Sequence, residues 1–405
     1  MKIAILNQPT GNRGDEAAHK AFVRRLANAL PNCQIDVIFI MHDQERIEAF
    51  NVHLPNVGYV NIKSLSFGYG KAIHWGYRLN MLLLSYLHPL LWKFRKYLKK
   101  YDKVICAPGG MCMGGFKVWA HIYNLETAKR LHKPIYYWGR SIGPFREDDM
   151  DSKVFKTNSI NLLKYFSYIS LRDSISIKYA NELGIMADEV VDSAFLECPN
   201  TIVPENIIGE IDGSEYIVYV PNELTWHPHY PKALQSKIDS FFLKIIDLIS
   251  DKFPNRKIVM LPQTYKSAFN DYAYFKRLSM HSENNNIIVI DENQNSDIQQ
   301  KIIAGSKLVI GARYHSIVFA INNNVPFISL SYEHKMEGLL ERLSMTEYMV
   351  EIQDIFDDGN EKAYKSAIEK IKILISHNCN SVNKYEAVNI VNGGFEMMIK
   401  SLIKN

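Results

Sequence analysis

The chain has 405 residues, long for one domain and comfortable for two, with 47% hydrophobic and 22% charged residues, an ordinary globular composition able to bury real cores. A formal net charge of +4 is too mild to imply a nucleic-acid partner, so any basic partner surface has to be local. The five cysteines (Cys33, Cys106, Cys112, Cys198, Cys379) are scattered and form no CxxC pair, which argues against a zinc knuckle or a disulfide framework and fits a reducing compartment.

The first residues, "MKIAIL", read as a β-strand over Lys2–Leu6 and not as a secretory signal; no uninterrupted apolar run reaches the length of a membrane span, and a cytoplasmic location is expected. Ala18, Phe22, Leu26 and Ala29 then recur on one helix face, and "QIDVIFI" (Gln34–Ile40) completes a β-α-β start. "KVICAPGG" (Lys103–Gly110) and "PIYYWGRSIGPF" (Pro134–Phe145) each run from strand into a glycine-containing turn, with a helix near Trp119–Leu131 between them. "YISLRDSISIKYANELG" (Tyr168–Gly184) repeats strand, polar turn and helix. The Pro-, Gly- and Asn-rich stretch from Cys198 to Ser214 reads as a linker. Beyond it come five further strands: Tyr216–Asn222, Lys257–Thr264, Asn286–Glu292, Lys307–Ala312 and Pro326–Ser331, with helices notably at Ala233–Ser250 and Ser296–Ala304. The expected architecture is two Rossmann-like, doubly wound α/β domains facing across a cleft, residues 1–199 and 214–380, followed by a helix over 384–404 that either domain can accept.

Residues 69–103 stand apart. Trp75, Trp92, leucines and tyrosines are interleaved there with Lys93, Arg95, Lys96, Lys99 and Lys100. Such a segment suits either an amphipathic helix packed on the N-terminal domain with a wet basic edge, the commoner outcome, or an interfacial helix on an anionic membrane.

The chemistry gathers at strand ends. In "KLVIGARYHSIVFAINNN", Arg313 and His315 fall where a strand hands over to a helix, where backbone N–H groups attract anions, an arginine adds a bidentate clamp and an imidazole can deliver a proton. Taken singly, Arg313 would cap a loop and His315 would fill a crevice. One strand later, "YEHKMEGLLERL" puts His334 and Lys335 at a strand end with Glu337 just inside the next helix, so Lys335 is either a second clamp on the same anion or a solvated loop lysine. In the N-terminal half Arg140 and Ser141 follow one strand, and Arg172, Asp173 and Ser174 follow another, Asp173 also being a natural N-cap. Cations at so many strand ends are economically explained by a small anionic ligand. Gln263 and Thr264 line its pocket on the same argument. Trp226 is placed to stack on a sugar ring, while His227 and His229 lack a nearby third metal ligand and read as loop anchors. Asp15 and Glu16 are what helix capping and dipole compensation would select in any case.

Together, "GNRGDEA", "PGGMCMGG", "WGRSIGPF", "LRDSIS", "VDSAF" and "GARYHSIVFAINNNVPFISLSYEHKMEGLL", in this order and over most of the chain, resemble the polysaccharide pyruvyl transferase family. The resemblance implies a two-domain, glycosyltransferase-B-like fold. It also implies transfer of the enolpyruvyl group of phosphoenolpyruvate onto two hydroxyls of a glycan sugar, forming a ketal and releasing phosphate in cell-surface polysaccharide synthesis. By that resemblance His315 is the general acid, with Arg313, Arg172 and Lys335 as catalytic cations. Ser316, Arg140 and Gln263 complete the donor set, and Asn12, Asp15, Gly110 and Trp226 border the acceptor. Phosphoenolpyruvate is a co-substrate, and neither cofactor nor metal is expected. The acceptor is a glycan, with lipid-linked intermediates reached by peripheral docking on the inner membrane face among the candidates. The competing readings are a nucleotide-sugar-dependent glycosyltransferase of the two-domain type, in which Arg313 and Lys335 would hold a diphosphate, and a catalytically dead glycan-binding protein.

Overall fold

Runs such as "YIVYV" and "FISLS" are mostly apolar and buried at every position, the signature of strands covered on both faces. The computed structural model describes residues 1–65, 67–211, 215–227, 230, 234–265, 270–356, 360–377, 382 and 384–404, the side chains of 111 and 112 excepted. It divides into two compact units.

The first unit comprises Met1–Thr10, Ala18–Leu196 and the chain from Val388 onward. Its parallel sheet is built from β1 (Lys2–Leu6), β2 (Gln34–Ile40), β3 (Val57–Ile62), β4 (Lys103–Cys106), β5 (Gly109–Gly114), β6 (Ile135–Gly143), β7 (Tyr168–Leu171) and β8 (Asp188–Glu189). The order is β3-β2-β1-β4-β6-β7-β8, with β5 pairing β6. Two expected turns are strand instead. "GGMCMG" extends along β6, and β6 continues through "GRSIG", because Arg140 pairs on one side with Gly109 and on the other with Leu171. Gly139, at φ 55°, supplies the irregularity that this double pairing needs. The terminal helix, Tyr385–Lys404, settles its open docking choice on this unit from residue 388: Phe395 meets the rings of Phe22 and Trp138, and Tyr136 donates to the Ser401 carbonyl at 3.2 Å.

The second unit comprises Gly11–Ala17 and Glu197–Ala387. Its strands are β9 (Tyr216–Val220), β10 (Lys257–Met260), β11 (Ile287–Val289), β12 (Leu308–Gly311), β13 (Phe327–Ser331) and β14 (Met349–Glu351), in the order β11-β10-β9-β12-β13-β14 and all parallel. The five expected strands are present, each shorter than expected; β14 is an addition, as are β3 and β8 in the first unit. Within the expected linker, Glu205–Ile211 forms a helix because Ile207 and Ile211, one turn apart, are both buried. In both sheets the winding reverses direction beside the first strand, at β1/β4 and at β9/β12, and ligands of doubly wound sheets collect at the carboxyl ends there.

Candidate active site

At the β9/β12 crevice the chain leaves β12 through Ala312 and starts the helix Tyr314–Asn322, with Arg313 as its extended N-cap residue. Arg313 is 7% exposed. Its Nη2 donates to Asp271 Oδ1. Burial works against the guanidinium charge, but Asp271, Tyr332 and Glu333 together outweigh it and hold the group above its ordinary value. Asp271 opens the helix Asp271–His281 after β10, and its other oxygen accepts the backbone N–H groups of Gln263 (3.0 Å) and Thr264 (2.9 Å). One buried carboxylate therefore ties the β12 arginine to the β10 loop. Among the described residues Arg313 Nε and Gln263 Nε2, both buried donors, have no hydrogen-bond partner. Trp226 lies on the other side: the Arg313 guanidinium is 5.6 Å from its indole ring, and its Nε1 donates to Asn222 Oδ1 at 3.3 Å.

His315 occupies the first turn of the same helix and is buried against Tyr314 and Phe319. The ring also lies on Gly14, where any Cβ would stand 1.8 Å from the imidazole, so only glycine allows the approach. That approach is fixed by a short bridge: Asn12 pairs with Thr264, Arg13 N–H donates to the Gln263 carbonyl (2.8 Å), and Tyr265 N–H donates to Gly11 (3.0 Å). Arg13 bonds Glu16 at 2.6 Å and the Glu292 carbonyl at 2.7 Å, its guanidinium 3.8 Å from the Tyr265 ring. Glu16 in turn accepts from Ser296 N–H and Oγ, each at 3.0 Å. Asn12 Oδ1 accepts from Gly14 N–H at 2.7 Å, and Asp15 is half-buried beside it. Ser316 is fully buried and donates to the Arg313 carbonyl at 2.6 Å, closing the turn.

After β13, Glu333 is the extended residue before the helix His334–Arg342, and its carboxylate is held from both sides, by Lys335 Nζ at 2.5 Å and His227 Nε2 at 3.6 Å. Burial would raise its pKa, but Lys335 and His227 outweigh burial and hold it well below the carboxylate range. Lys335 also lies 5.8 Å from the Tyr314 ring. His229 falls outside the described residues; among those described, no cluster of three potential metal ligands occurs.

In the first unit, Arg140 is wholly buried and spans three strand ends, donating to the carbonyls of Ala107 (2.6 Å), Gly110 (3.2 Å) and Asn7 (2.6 Å). A Cβ on Gly110 would meet open space. Arg172 is 2% exposed; it bonds Asp192 at 2.5 Å and Ser141 Oγ at 3.2 Å, and Ser141 donates to Asp173 at 2.7 Å. Asp173 also caps the helix Ser174–Glu182 by accepting from Ser176 N–H. Sequence reasoning gave no role to Asp271, Glu333, Asp192 and Arg13, although Asp192 and Arg13 lie within "VDSAF" and "GNRGDEA". For the three carboxylates the usable signal was that a buried arginine or lysine demands a carboxylate.

Two parallel α/β domains with polar machinery at strand ends define a glycosyltransferase-B-like protein. Solved structures agree on the fold: the UDP-GlcNAc 2-epimerase of Neisseria meningitidis bound to UDP-GlcNAc (TM-score 0.58, 11% identity, 100% of both chains) and Anabaena Alr3699/HepE in complex with UDP and glucose (0.57, 13%, 100% of both). The sequence pattern described as polysaccharide pyruvyl transferase matches residues 12–334, and the chain belongs to that family. It is also 24% identical over 387 residues to the amylovoran biosynthesis protein AmsJ of Erwinia amylovora, covering 88% of this chain and 89% of that protein.

Proposed function

We propose that the protein transfers the enolpyruvyl group of phosphoenolpyruvate onto two hydroxyls of a glycan sugar, as a cytoplasmic step of polysaccharide synthesis on a lipid-linked acceptor. The observation that carries this reading is the β12 junction: a buried arginine and a buried imidazole share one helix start, with two buried donors, Arg313 Nε and Gln263 Nε2, still unmatched. An acceptor-rich small anion answers that arrangement. Arg313 and Lys335 bind the carboxylate and phosphate and hold C2 beside the sugar oxygen. His315 delivers a proton to the methylene carbon, and C2 becomes electrophilic. A sugar oxygen bonds to C2 and its proton returns to His315. The C2–O bond to phosphate breaks, the second hydroxyl oxygen bonds to C2 and closes the ketal, and its proton leaves with the phosphate, whose negative charge the cations hold. Arg140 and Arg172 act as positioning residues, since their guanidinium groups are engaged with three carbonyls and with Asp192. Acceptor contact is assigned to Asn12, Asp15 and Trp226 of the second unit.

The test is phosphate release from phosphoenolpyruvate against a panel of lipid-linked sugars, with mass analysis for a gained pyruvyl ketal. Acceptor-dependent phosphate release supports the reading, and it persists after chelator treatment because no step uses a metal. Release of UDP or GDP from a nucleotide sugar instead would replace it with glycosyl transfer.

A further inference from the structure

The segment from Lys63 to Tyr101 contains eight lysines and arginines and no aspartate or glutamate. The whole chain carries only +4, so everything outside this segment is net negative. Its helices Tyr69–Arg78 and Pro89–Leu98 already have buried faces: Ile73, Gly76 and Tyr77 on the first, Leu90, Leu91, Phe94 and Leu98 on the second. Packing on the domain accounts for those residues. It does not account for the apolar side chains left outside.

Leu65 and Phe67 are 95% and 92% exposed, and Leu87 is 80% exposed. Trp75, Leu79 and Met81, then Leu83 and Leu84, then Trp92, are each more than half exposed. Nine of the twenty-three exposed large apolar side chains among the described residues thus fall between positions 65 and 92. Hydrogen bonds to main-chain carbonyls knit the stretch together: Lys93 Nζ donates to the Lys63 carbonyl at 3.0 Å, His88 Nε2 lies 3.1 Å from the Phe67 carbonyl, and Met81 N–H donates to the Gly76 carbonyl at 2.8 Å. Lys96 lies 5.1 Å from the Trp92 ring, joining a cation to the apolar surface; among the described residues, Arg78 is the one lysine or arginine of the segment in an ion pair, with Asp151 at 2.5 Å.

From this juxtaposition we propose that residues 65–100 form a docking surface for an anionic phospholipid bilayer. The exposed leucines, Phe67 and the two tryptophans enter the headgroup–acyl boundary, and the lysines and Arg95 meet lipid phosphates. A second copy of the chain is the poorer occupant, because a two-fold interface would set this cationic surface against itself with no acidic residue in the segment to compensate. The attachment is peripheral, as no helix among the described residues is long and apolar enough to cross a membrane.

Co-sedimentation of the full chain with vesicles tests this. Binding is expected to phosphatidylcholine vesicles carrying about 30% phosphatidylglycerol, to fall at least tenfold on pure phosphatidylcholine, and to weaken at about 0.5 M salt. Leu83→Glu/Leu87→Glu and Lys93→Glu/Lys96→Glu, all at exposed positions, should each lower binding roughly tenfold or more with unchanged circular dichroism and thermal midpoint. Equal binding to both vesicle types, no binding to either, or variants that bind like the wild type would overturn the proposal. So would a wild-type dimer in gel filtration that the Leu83/Leu87 variant turns to monomer. Vesicle binding needs neither donor nor acceptor, so its failure leaves the proposed pyruvyl transfer standing.

Discussion

Arg313 and His315 sit two residues apart, and the proposed chemistry separates their roles. His315→Ala removes the proton donor and not the clamp: turnover should fall roughly 10²–10⁴-fold with phosphoenolpyruvate binding retained, measured by steady-state kinetics and by titration calorimetry. Arg313→Ala should mainly raise the KM for phosphoenolpyruvate; a change confined to the acceptor KM would reassign it. Gly14 offers a sharper test, since it carries no functional group. Its missing Cβ makes room for the imidazole, and a methyl 1.8 Å from the ring would force His315 aside. Gly14→Ala should lower kcat on the order of a hundredfold, the cost of misplacing a reacting group by about 1 Å, and, since the added methyl would also stand 2.5 Å from the His315 Cβ, should cost about 1–3 kcal/mol of stability; kcat is therefore read on the folded variant. Unchanged kcat would mean that the ring's position does not matter. The Arg-x-His spacing was legible in the sequence; the glycine beneath it was not, because it lies three hundred residues away in the chain.

Elements are coupled by the buried carboxylates that the polar loops contribute. Asp271 holds Arg313 and two backbone N–H groups of the β10 loop at once. Asp271→Ala strands a buried guanidinium and should cost about 3–5 kcal/mol in urea unfolding. Adding Arg313→Met should restore much of that loss, because the penalty is an uncompensated charge and not a missing contact. If the double variant is no more stable than the single, the pair is not the coupling element. Strands and helices were readable from apolar runs because parallel strands are buried on both faces. β3, β14 and the Arg140 half of β6 escaped for the opposite reason: "VGYVNI" and "MVE" lack a continuous apolar run, and "GRSIG" looks like a turn until its two neighbours pair with it.

On the scale of the whole molecule, acid should act on the first unit through His19. Burial first, then the nearby Lys20 and Arg24 charges, bring its pKa down to about 3. The folded state prefers neutral imidazole, so this contribution is complete above the ordinary value of 6.5 and is lost as pH falls from there toward 3. Its own share of the slope is about 1.4 kcal/mol per pH unit in that window; His121, also held well below its ordinary value by burial and then by Arg140, adds to the slope in the same direction. His19→Gln should lower the slope by roughly that share in urea titrations at successive pH values, and equal slopes would refute the assignment. The two-domain parallel α/β plan, the family and the Arg-x-His pair were determined by sequence alone, because hydrophobic periodicity and motif order are local properties that survive being written in one line. Tertiary structure alone decided which carboxylate meets which cation, that residues 11–17 join the second unit and the terminal helix the first, and which leucines stay outside. Those outcomes depend on contacts between residues far apart in the chain. Burial raises the cost of an unpaired charge, but only the folded chain selects its partner.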